Sequence, residues 1–120
     1  MSTHYAYGKR KELQVAEFLE RRGYAWERAK GRRGPYDIAA IKGQLLLLVQ
    51  VKATRRCTIS YMRLTQNEEV ALIDTAIIYN AIPILALVCS NYVWLVTVPD
   101  GEVLIEGNLK TLKFRYPYES

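Results

Sequence analysis

The sequence predicts an α/β fold, because helical and strand-like patterns alternate along its 120 residues. The predicted order is a helix, three strands, a second helix and at least two further strands. An amphipathic helical pattern covers 8–22, an apolar hairpin pattern covers 34–54, and a second helical pattern covers 66–79. The length suits one compact core, and no linker or repeat divides the chain, so we expect a single domain over residues 1–120.

The first helix pattern ends where Gly23 supplies a C-terminal stop. Glu12 lies on or beside the apolar face of this helix, which is an unusual place for a carboxylate. It is either a residue at the edge of that face with a helical partner, or an acidic group that reaches a functional site. The predicted buried stripe consists of Val15, Ala16, Phe18 and Leu19.

A short strand at 24–28 follows, with Tyr24 and Trp26 on one face, and then a glycine-rich basic loop at 29–35. Glycine lets a backbone approach a phosphate closely, and arginine grips phosphate through two parallel hydrogen bonds. We therefore expect contacts to DNA from the basic side chains of this region, which are Arg28, Lys30, Arg32 and Arg33.

The hairpin at 34–54 joins two apolar runs by a turn at 42–43 or at 43–44. Because strand side chains alternate between faces, Gln50 and Lys52 share one face. Either turn brings Asp37 to that face, opposite residue 48 or residue 50. A carboxylate, an amide oxygen and an ammonium thus converge on an apolar hairpin, where unpaired polar groups are costly.

A hard cation and a phosphate would satisfy these three side chains together. Asp37 and the side-chain oxygen of Gln50 are suitable ligands for Mg²⁺ or Mn²⁺. Lys52 can neutralise a scissile phosphate or hold an attacking water. The hairpin therefore predicts metal-assisted phosphodiester chemistry.

The segment after the hairpin contains a second basic loop and the second helix. Arg55 and Arg56 lie in this loop and would flank the phosphate from the other side. Thr65 and Glu68 have the spacing of a capping box, which starts a helix that runs to about Tyr79. Apolar runs at 84–89, 91–98 and 103–105 predict the remaining strands, and the tail at 109–118 would dock on the body or on a partner chain.

The net charge of +5 is distributed unevenly. Residues 1–63 carry 14 Lys and Arg against 5 Asp and Glu, a net +9, whereas residues 64–120 carry 3 against 7, a net −4. The positive charge accompanies the polar cluster of the hairpin, as expected for a nucleic-acid-binding face.

Other features exclude several classes of protein. A single histidine argues against histidine-based metal or triad chemistry. Cys57 and Cys89 are too few for a disulfide framework and lack zinc spacing, so we expect two reduced thiols. The polar N-terminal residues lack the apolar core expected of a signal peptide, and no apolar run reaches membrane-spanning length. We expect a soluble cytoplasmic protein (in the host cytoplasm if the source is viral), with neither a membrane partner nor a small-molecule cofactor.

Asp37 followed by Gln50-Val51-Lys52 after a hairpin resembles the PD-(D/E)XK nuclease motif. With Gly8-x-x-x-Glu12 in front, the chain resembles the archaeal-type Holliday-junction resolvases of that superfamily. The resemblance implies a restriction-endonuclease-like αβββαβ core with a mixed central sheet flanked by helices. Two departures are Tyr36, inserted between proline and aspartate, and Gln50, which replaces an acidic residue.

The resemblance also implies an activity: Mg²⁺-dependent resolution of four-way DNA junctions by paired phosphodiester hydrolysis. The implied metal ligands are Glu12, Asp37, the Gln50 side chain and the Val51 carbonyl, with Mn²⁺ as a substitute ion, and Lys52 completes the catalytic set. Lys9 and Arg10 would contact the DNA backbone. Paired cuts in branched DNA call for a homodimer, and we expect its interface in the apolar stretch 77–88 with Trp94, unless all of that stretch is core.

Three alternatives remain open from the sequence. Glu68 and Glu69 could be displaced catalytic acids that replace the carboxylate missing at Gln50, although the capping role explains their spacing more simply. The chain could be another nuclease of the same fold, with a repair, restriction-like or viral role on duplex or flap DNA. It could also be a non-catalytic DNA-binding relative of such a nuclease.

Overall fold

A computed structural model of the chain describes residues 3–29, 34–58 and 63–110, with side chains from residue 7 onward. The expected order of helices and strands is confirmed. The helices are α1 (Thr3–Glu20) and α2 (Gln66–Tyr79). The strands are β1 (Ala25–Arg28), β2 (Ile38–Lys42), β3 (Leu45–Thr54), β4 (Ile82–Cys89), β5 (Tyr92–Thr97) and β6 (Val103–Asn108).

The six strands form one sheet in the order β1-β2-β3-β4-β5-β6. Only the β3–β4 pair is parallel, and the crossover between these two strands contains α2. A parallel pair needs such a long connection, because a tight turn can join only antiparallel neighbours. The predicted mixed sheet flanked by helices is therefore confirmed.

The two helices cover opposite faces of the sheet. The four predicted stripe residues of α1 are fully buried against one face, together with Ile38, Val49 and Ile84. The other face packs Leu48 and Leu85 against Leu72 of α2. Tyr36, the inserted tyrosine, packs against this second cluster, so the α2 face of the sheet carries both a small core and the polar end of the hairpin.

The hairpin between β2 and β3 turns at Gly43 and Gln44, because Lys42 pairs with Leu45 and Ile38 pairs with Val49. Gly43 has a φ of +62°, a conformation that glycine adopts without strain. This register puts Asp37 opposite Gln50, which is the second of the two alternatives considered for the turn.

Strand β4 begins earlier than predicted and includes Pro83, which pairs with Leu48 of β3. The sequence prediction started the strand after the proline, since proline cannot donate a ladder hydrogen bond. Here the Pro83 carbonyl accepts the N–H of Val98 at 3.1 Å, so the residue still takes part in backbone bonding through its acceptor.

Cys57 and Cys89 form a disulfide, so the expectation of two reduced thiols is wrong. The expectation rested on composition, because two cysteines are too few for a disulfide framework, but the fold brings this pair together. Since β3 and β4 are parallel, their C-terminal ends lie side by side, and Thr54 pairs with Cys89. The loop after β3 then turns back at Cys57, whose φ is +57°.

The apolar stretch proposed as a dimer surface divides into two parts. Ile84 and Val88 are fully buried in the core, so that part of the prediction is wrong: β4 is an interior strand covered on both faces. Ile77 and Ile78, at the end of α2, are 72% and 78% exposed.

Neither of the helices in the described part of the chain is long and apolar enough to cross a membrane.

Candidate active site

Asp37 lies immediately before β2 and is held by its backbone and its side chain. Its N–H donates to the Val49 carbonyl at 2.7 Å, and its carbonyl accepts from Ala29 at 2.9 Å. Its Oδ2 atom accepts the backbone N–H of Val51 at 2.7 Å. The carboxylate is therefore fixed against the strand that carries Gln50 and Lys52.

The surroundings of Asp37 raise the pKa of its carboxyl from 3.8 to about 6. Burial is the largest cause, and the hydrogen bond from Val51 opposes it. The negative charge of Glu12 raises the pKa further, whereas the positive charges of Lys52 and Lys9 lower it. The charges of Glu12 on α1 and of Asp37 on the hairpin therefore act on each other.

Glu12 is half-buried and pairs with Arg28. Its Oε1 atom accepts a hydrogen bond from Nη2 of Arg28 at 3.2 Å. Glu12 was expected to bind a metal and Arg28 to contact DNA, and in this structure the two side chains pair with each other. The ion pair holds the carboxylate of Glu12 beside the end of β1.

Lys52 projects from the face of β3 that is covered by α2, two residues beyond Gln50. Its Nζ atom lies 2.9 Å from Oε2 of Glu68, in the first turn of α2. The sequence suggested a cap for Glu68, or a displaced acid in place of the one missing at Gln50, but it did not predict this contact with Lys52. The contact follows from the parallel arrangement of β3 and β4, because the crossover between them places the start of α2 near the end of β3.

The capping box at the start of α2 is confirmed. The Thr65 hydroxyl accepts the N–H of Glu68 at 3.1 Å, and Oε1 of Glu68 accepts the N–H of Thr65 at 2.9 Å. The pKa of Glu68 is lowered: partial burial works against this, but the hydrogen bonds from Thr65 and Lys52 outweigh it. Glu68 therefore uses one oxygen for the cap and the other for Lys52.

The basic residues near the site differ in their surroundings. Lys11 is buried, and its Nζ donates to the Ser90 carbonyl at 2.7 Å. Burial lowers its pKa, and the charges of Arg10 and Arg55 lower it further. The Tyr7 ring lies under two cations, with Nζ of Lys11 at 5.3 Å and the guanidinium of Arg55 at 4.3 Å from its centroid.

The remaining candidate DNA contacts are placed as follows. Arg10 and Arg55 are exposed, as is Arg56, and Lys9 is partly exposed. Lys9 and Arg10 lie in the N-terminal half of α1, and the other two arginines lie in the loop after β3, so these residues share one end of the sheet with Asp37. Three more predicted contacts, Lys30, Arg32 and Arg33, lie outside the described residues.

The side chains around Asp37 offer oxygen donors to a divalent metal. No three of the His, Cys, Asp and Glu side chains in the described ranges gather as a ready metal site. The carboxylates of Glu12 and Asp37 repel each other electrostatically, and Gln50 lies one residue beyond Val49, the last residue of β3 that pairs with β2. Carboxylate and amide oxygens suit a hard cation, so the residues fit such an ion with one carboxylate fewer than the motif usually supplies, although Glu12 is paired with Arg28 in this structure.

Comparison with known proteins places the chain in a family. The family model described as archaeal Holliday junction resolvase (Hjc) matches residues 3–109. The 1.6 Å resolution structure of Hjc from Archaeoglobus fulgidus, a Holliday junction resolvase from an archaeal hyperthermophile, shares the fold. Its TM-score is 0.63 at 24% identity, over 77% of this chain and 73% of that one. No curated protein sequence matches significantly.

The match to the family model covers both helices, the whole sheet and every candidate catalytic residue. The chain belongs to the archaeal Holliday-junction resolvase family, a family of nucleases that act on branched DNA.

Proposed function

We propose that the protein is a Mg²⁺-dependent endonuclease that resolves four-way DNA junctions by paired cuts. The observation that carries the proposal is the convergence of Asp37, Gln50 and Lys52 at one end of the hairpin. Resolvases of this family generally depend on a divalent metal. This supports a metal requirement for the present protein but does not identify Mg²⁺ as the ion. We also propose that residues 1–120 act as one nuclease domain, in the cytoplasm.

The proposed metal ligands are Glu12, Asp37, the side-chain oxygen of Gln50 and the Val51 carbonyl, and Mn²⁺ is expected to substitute for Mg²⁺. When bound, the metal would lower the pKa of a water molecule and offset negative charge on the phosphate. The bond from Val51 keeps Asp37 oriented towards the cluster. The release of Glu12 from Arg28 would free the guanidinium to bind a backbone phosphate at the same step.

Lys52 is the residue proposed to bind the scissile phosphate directly. Its ammonium has three donor hydrogens, and one of them is used by Glu68. The others can bind a nonbridging phosphate oxygen and orient the attacking water, so that negative charge growing in the transition state meets a fixed positive charge. In-line attack then breaks the P–O bond to the leaving sugar oxygen.

The basic residues that surround the site are proposed to hold the DNA backbone. Arg55 and Arg56 follow the strand that carries Lys52, and Lys9 and Arg10 lie in the N-terminal half of α1. The loop that contains Lys30, Arg32 and Arg33 connects β1 to Asp37 and is proposed to contact the same backbone. Contacts to phosphate fix position and orientation without reading sequence, which suits an enzyme that selects a branched shape.

A four-way junction has approximate two-fold symmetry, and two symmetric cuts require two active sites. We therefore propose a homodimer. The exposed apolar residues Ile77 and Ile78 at the end of α2 are the surface proposed for the contact, in place of the longer stretch predicted from the sequence.

The test is cleavage of a synthetic four-way junction beside a linear duplex of the same arm sequence, in Mg²⁺ and in EDTA. We expect paired nicks in the junction alone, no cleavage in EDTA, and no cleavage by Lys52→Ala or Asp37→Ala with binding largely retained. Lys42→Ala is the matched control, because Lys42 lies at the hairpin turn and donates to the Arg22 carbonyl.

Each other outcome points to one of the alternatives. Equal cleavage of junction and duplex would favour a general nuclease of this fold. Tight binding without cleavage in both Mg²⁺ and Mn²⁺ would mean that Gln50 marks an inactive site. Full cleavage by Asp37→Ala would overturn the metal-site assignment.

A further inference from the structure

Glu68 makes two different contacts with its two carboxylate oxygens. Oε1 accepts the Thr65 N–H at 2.9 Å in the capping box, and Oε2 lies 2.9 Å from Nζ of Lys52. The first contact fixes the carboxylate to the start of α2, and the second extends from that fixed point to the strand. Capping alone would use only the first.

We propose that Glu68 is a positioning residue for Lys52, and that it holds the ammonium where the phosphate is cut. This inference rests on the proposed function and deepens it. It assigns to the first turn of α2 a role in the chemistry that neither the family match nor the capping motif gives it.

The physical reason lies in the length of the lysine side chain. A lysine has four rotatable carbon–carbon bonds and samples many rotamers, so ordering it costs side-chain entropy. Here Nζ of Lys52 is bonded to the carboxylate of Glu68, and the backbone N–H of Thr65 holds that carboxylate in place. The ammonium therefore reaches the phosphate from one direction, with that ordering already complete in the free protein.

Gln50 makes this tie more important. In the motif that the hairpin resembles, an acidic residue stands at position 50, on the same face as the lysine and two residues before it. An amide cannot form an ion pair, so the ammonium of Lys52 needs its anionic partner elsewhere. Within the described part of the chain, the carboxylate bonded to Lys52 is Glu68, which is 37% exposed beside a 27% exposed lysine.

The proposal separates two roles of one side chain, and two variants can distinguish them. Glu68→Gln keeps a residue that completes a capping box but loses the charge that holds Lys52. Thr65→Ala is the matched control, because it removes the hydroxyl that caps α2 and leaves both residues of the ion pair. Glu68→Asp is a second variant, which keeps the charge but is too short to span both contacts.

The measurements are the single-turnover rate of junction cleavage in saturating Mg²⁺, the junction Kd in EDTA, and the ¹⁵Nζ resonance of Lys52, assigned with Lys52→Arg. For Glu68→Gln we expect a rate about 10- to 100-fold lower, as a misplaced catalytic group produces. We expect a Kd within about twofold of the parent, because positioning acts after binding. The Lys52 resonance should move to the position of a freely rotating lysine.

Thr65→Ala should lower the melting temperature and leave the cleavage rate and the Lys52 resonance unchanged. The inference is overturned if Glu68→Gln cleaves at the parental rate, or if Thr65→Ala slows cleavage as much as Glu68→Gln does. If Glu68→Gln does not fold, a parental rate and Lys52 resonance in Glu68→Asp would overturn it instead.

Failure of the proposed function would look different. In that case the parent protein would not cut the junction, and this inference would fall with it. A parent protein that cleaves and depends on Lys52, beside a fully active Glu68→Gln, would remove this inference alone.

Discussion

Asp37 and Val51 are joined by a hydrogen bond of 2.7 Å from the backbone N–H of Val51 to Oδ2 of Asp37. The bond crosses from the start of β2 to the strand that carries Lys52, at the point where the hairpin ladder ends. It orients the carboxylate and partly offsets the cost of burying it. Burial still prevails, since the pKa of Asp37 is raised to about 6, so the charged form of this carboxylate is less favourable than it would be in water.

The first prediction concerns the stability of the metal-free protein. Because the pKa of Asp37 is about 6 in the folded protein and 3.8 ordinarily, the folded state binds the proton more tightly. The contribution of Asp37 to the free energy of unfolding should therefore fall as pH rises from about 4 to about 6 and stay lower above that range. Asp37→Asn should be more stable than the parent at pH 8, by about 1–3 kcal/mol, and equal to it at pH 4.

Urea denaturation in EDTA at the two pH values measures this difference. Asp74→Asn, at an exposed position of α2, removes the same charge and should show no such dependence on pH. An Asp37→Asn protein that is less stable than the parent at pH 8 would contradict the assignment of burial as the dominant effect.

The second prediction concerns the residue that departs from the motif. Gln50→Glu adds a negative charge opposite Asp37, and ligand charge increases the affinity for a hard cation. We expect the Mg²⁺ concentration for half-maximal cleavage to fall about tenfold, with the maximal rate retained or increased. Gln44→Glu, at the exposed hairpin turn, is the control. No change in the Mg²⁺ dependence would show that Gln50 does not face the metal.

The third prediction concerns the contact between the second basic loop and DNA. Arg55 is exposed and lies over the Tyr7 ring, which holds its guanidinium at the end of the sheet where the site lies. If it binds one phosphate, Arg55→Ala should weaken junction binding and reduce the slope of log K against log salt by about one.

Fluorescence anisotropy at several salt concentrations measures that slope. Arg21→Ala is the control, because it removes the same charge near the opposite end of α1, where Arg21 pairs with Glu17. Equal slopes for Arg55→Ala and the parent would remove Arg55 from the DNA surface.

The fourth prediction concerns the proposed dimer. Ile78 is 78% exposed at the end of α2, so Ile78→Glu removes apolar contact area without disturbing a core. We expect a shift from dimer to monomer in sedimentation equilibrium, with an unchanged far-UV spectrum and loss of paired cutting. Leu104→Glu, at a 43% exposed position of β6, should remain dimeric. A dimeric Ile78→Glu would place the interface elsewhere.

The fifth prediction concerns the disulfide. Its two cysteines are separated by 32 residues, and closing a loop of that size stabilises a fold by about 3.7 kcal/mol. Reduction, or the double substitution Cys57→Ser and Cys89→Ser, should lower the melting temperature by an amount that calorimetry detects readily. The parent protein in reductant should have the same melting temperature as the double variant. If reductant also lowered the melting temperature of the double variant, the change in the parent could not be assigned to the disulfide.

Sequence reasoning predicted the parts of the site that depend on local pattern. The alternation of β3 put Gln50 and Lys52 on one face, and the spacing of Thr65 and Glu68 gave the cap, because both follow from residues that are neighbours along the chain. The contact between Lys52 and Glu68 was missed, since it depends on how the crossover returns α2 over the sheet.

The pairing of Cys57 with Cys89 was missed for a related reason. It requires β3 and β4 to be parallel neighbours, and periodicity along one strand contains no information about which strand lies beside it. The hydrophobic pattern also could not predict which part of 77–88 is exposed helix and which part is buried strand, because Ile78 and Ile84 are equally apolar in sequence.

The disulfide also closes residues 57–89 into a covalent ring that contains the whole of α2. A protease that cut one peptide bond within the ring would leave a two-chain molecule of nearly unchanged mass. The disulfide would still link the fragment that contains Lys52 to the other fragment. Such a nicked protein would run as two bands only on a reducing gel, and the breakage of its backbone would otherwise go unseen.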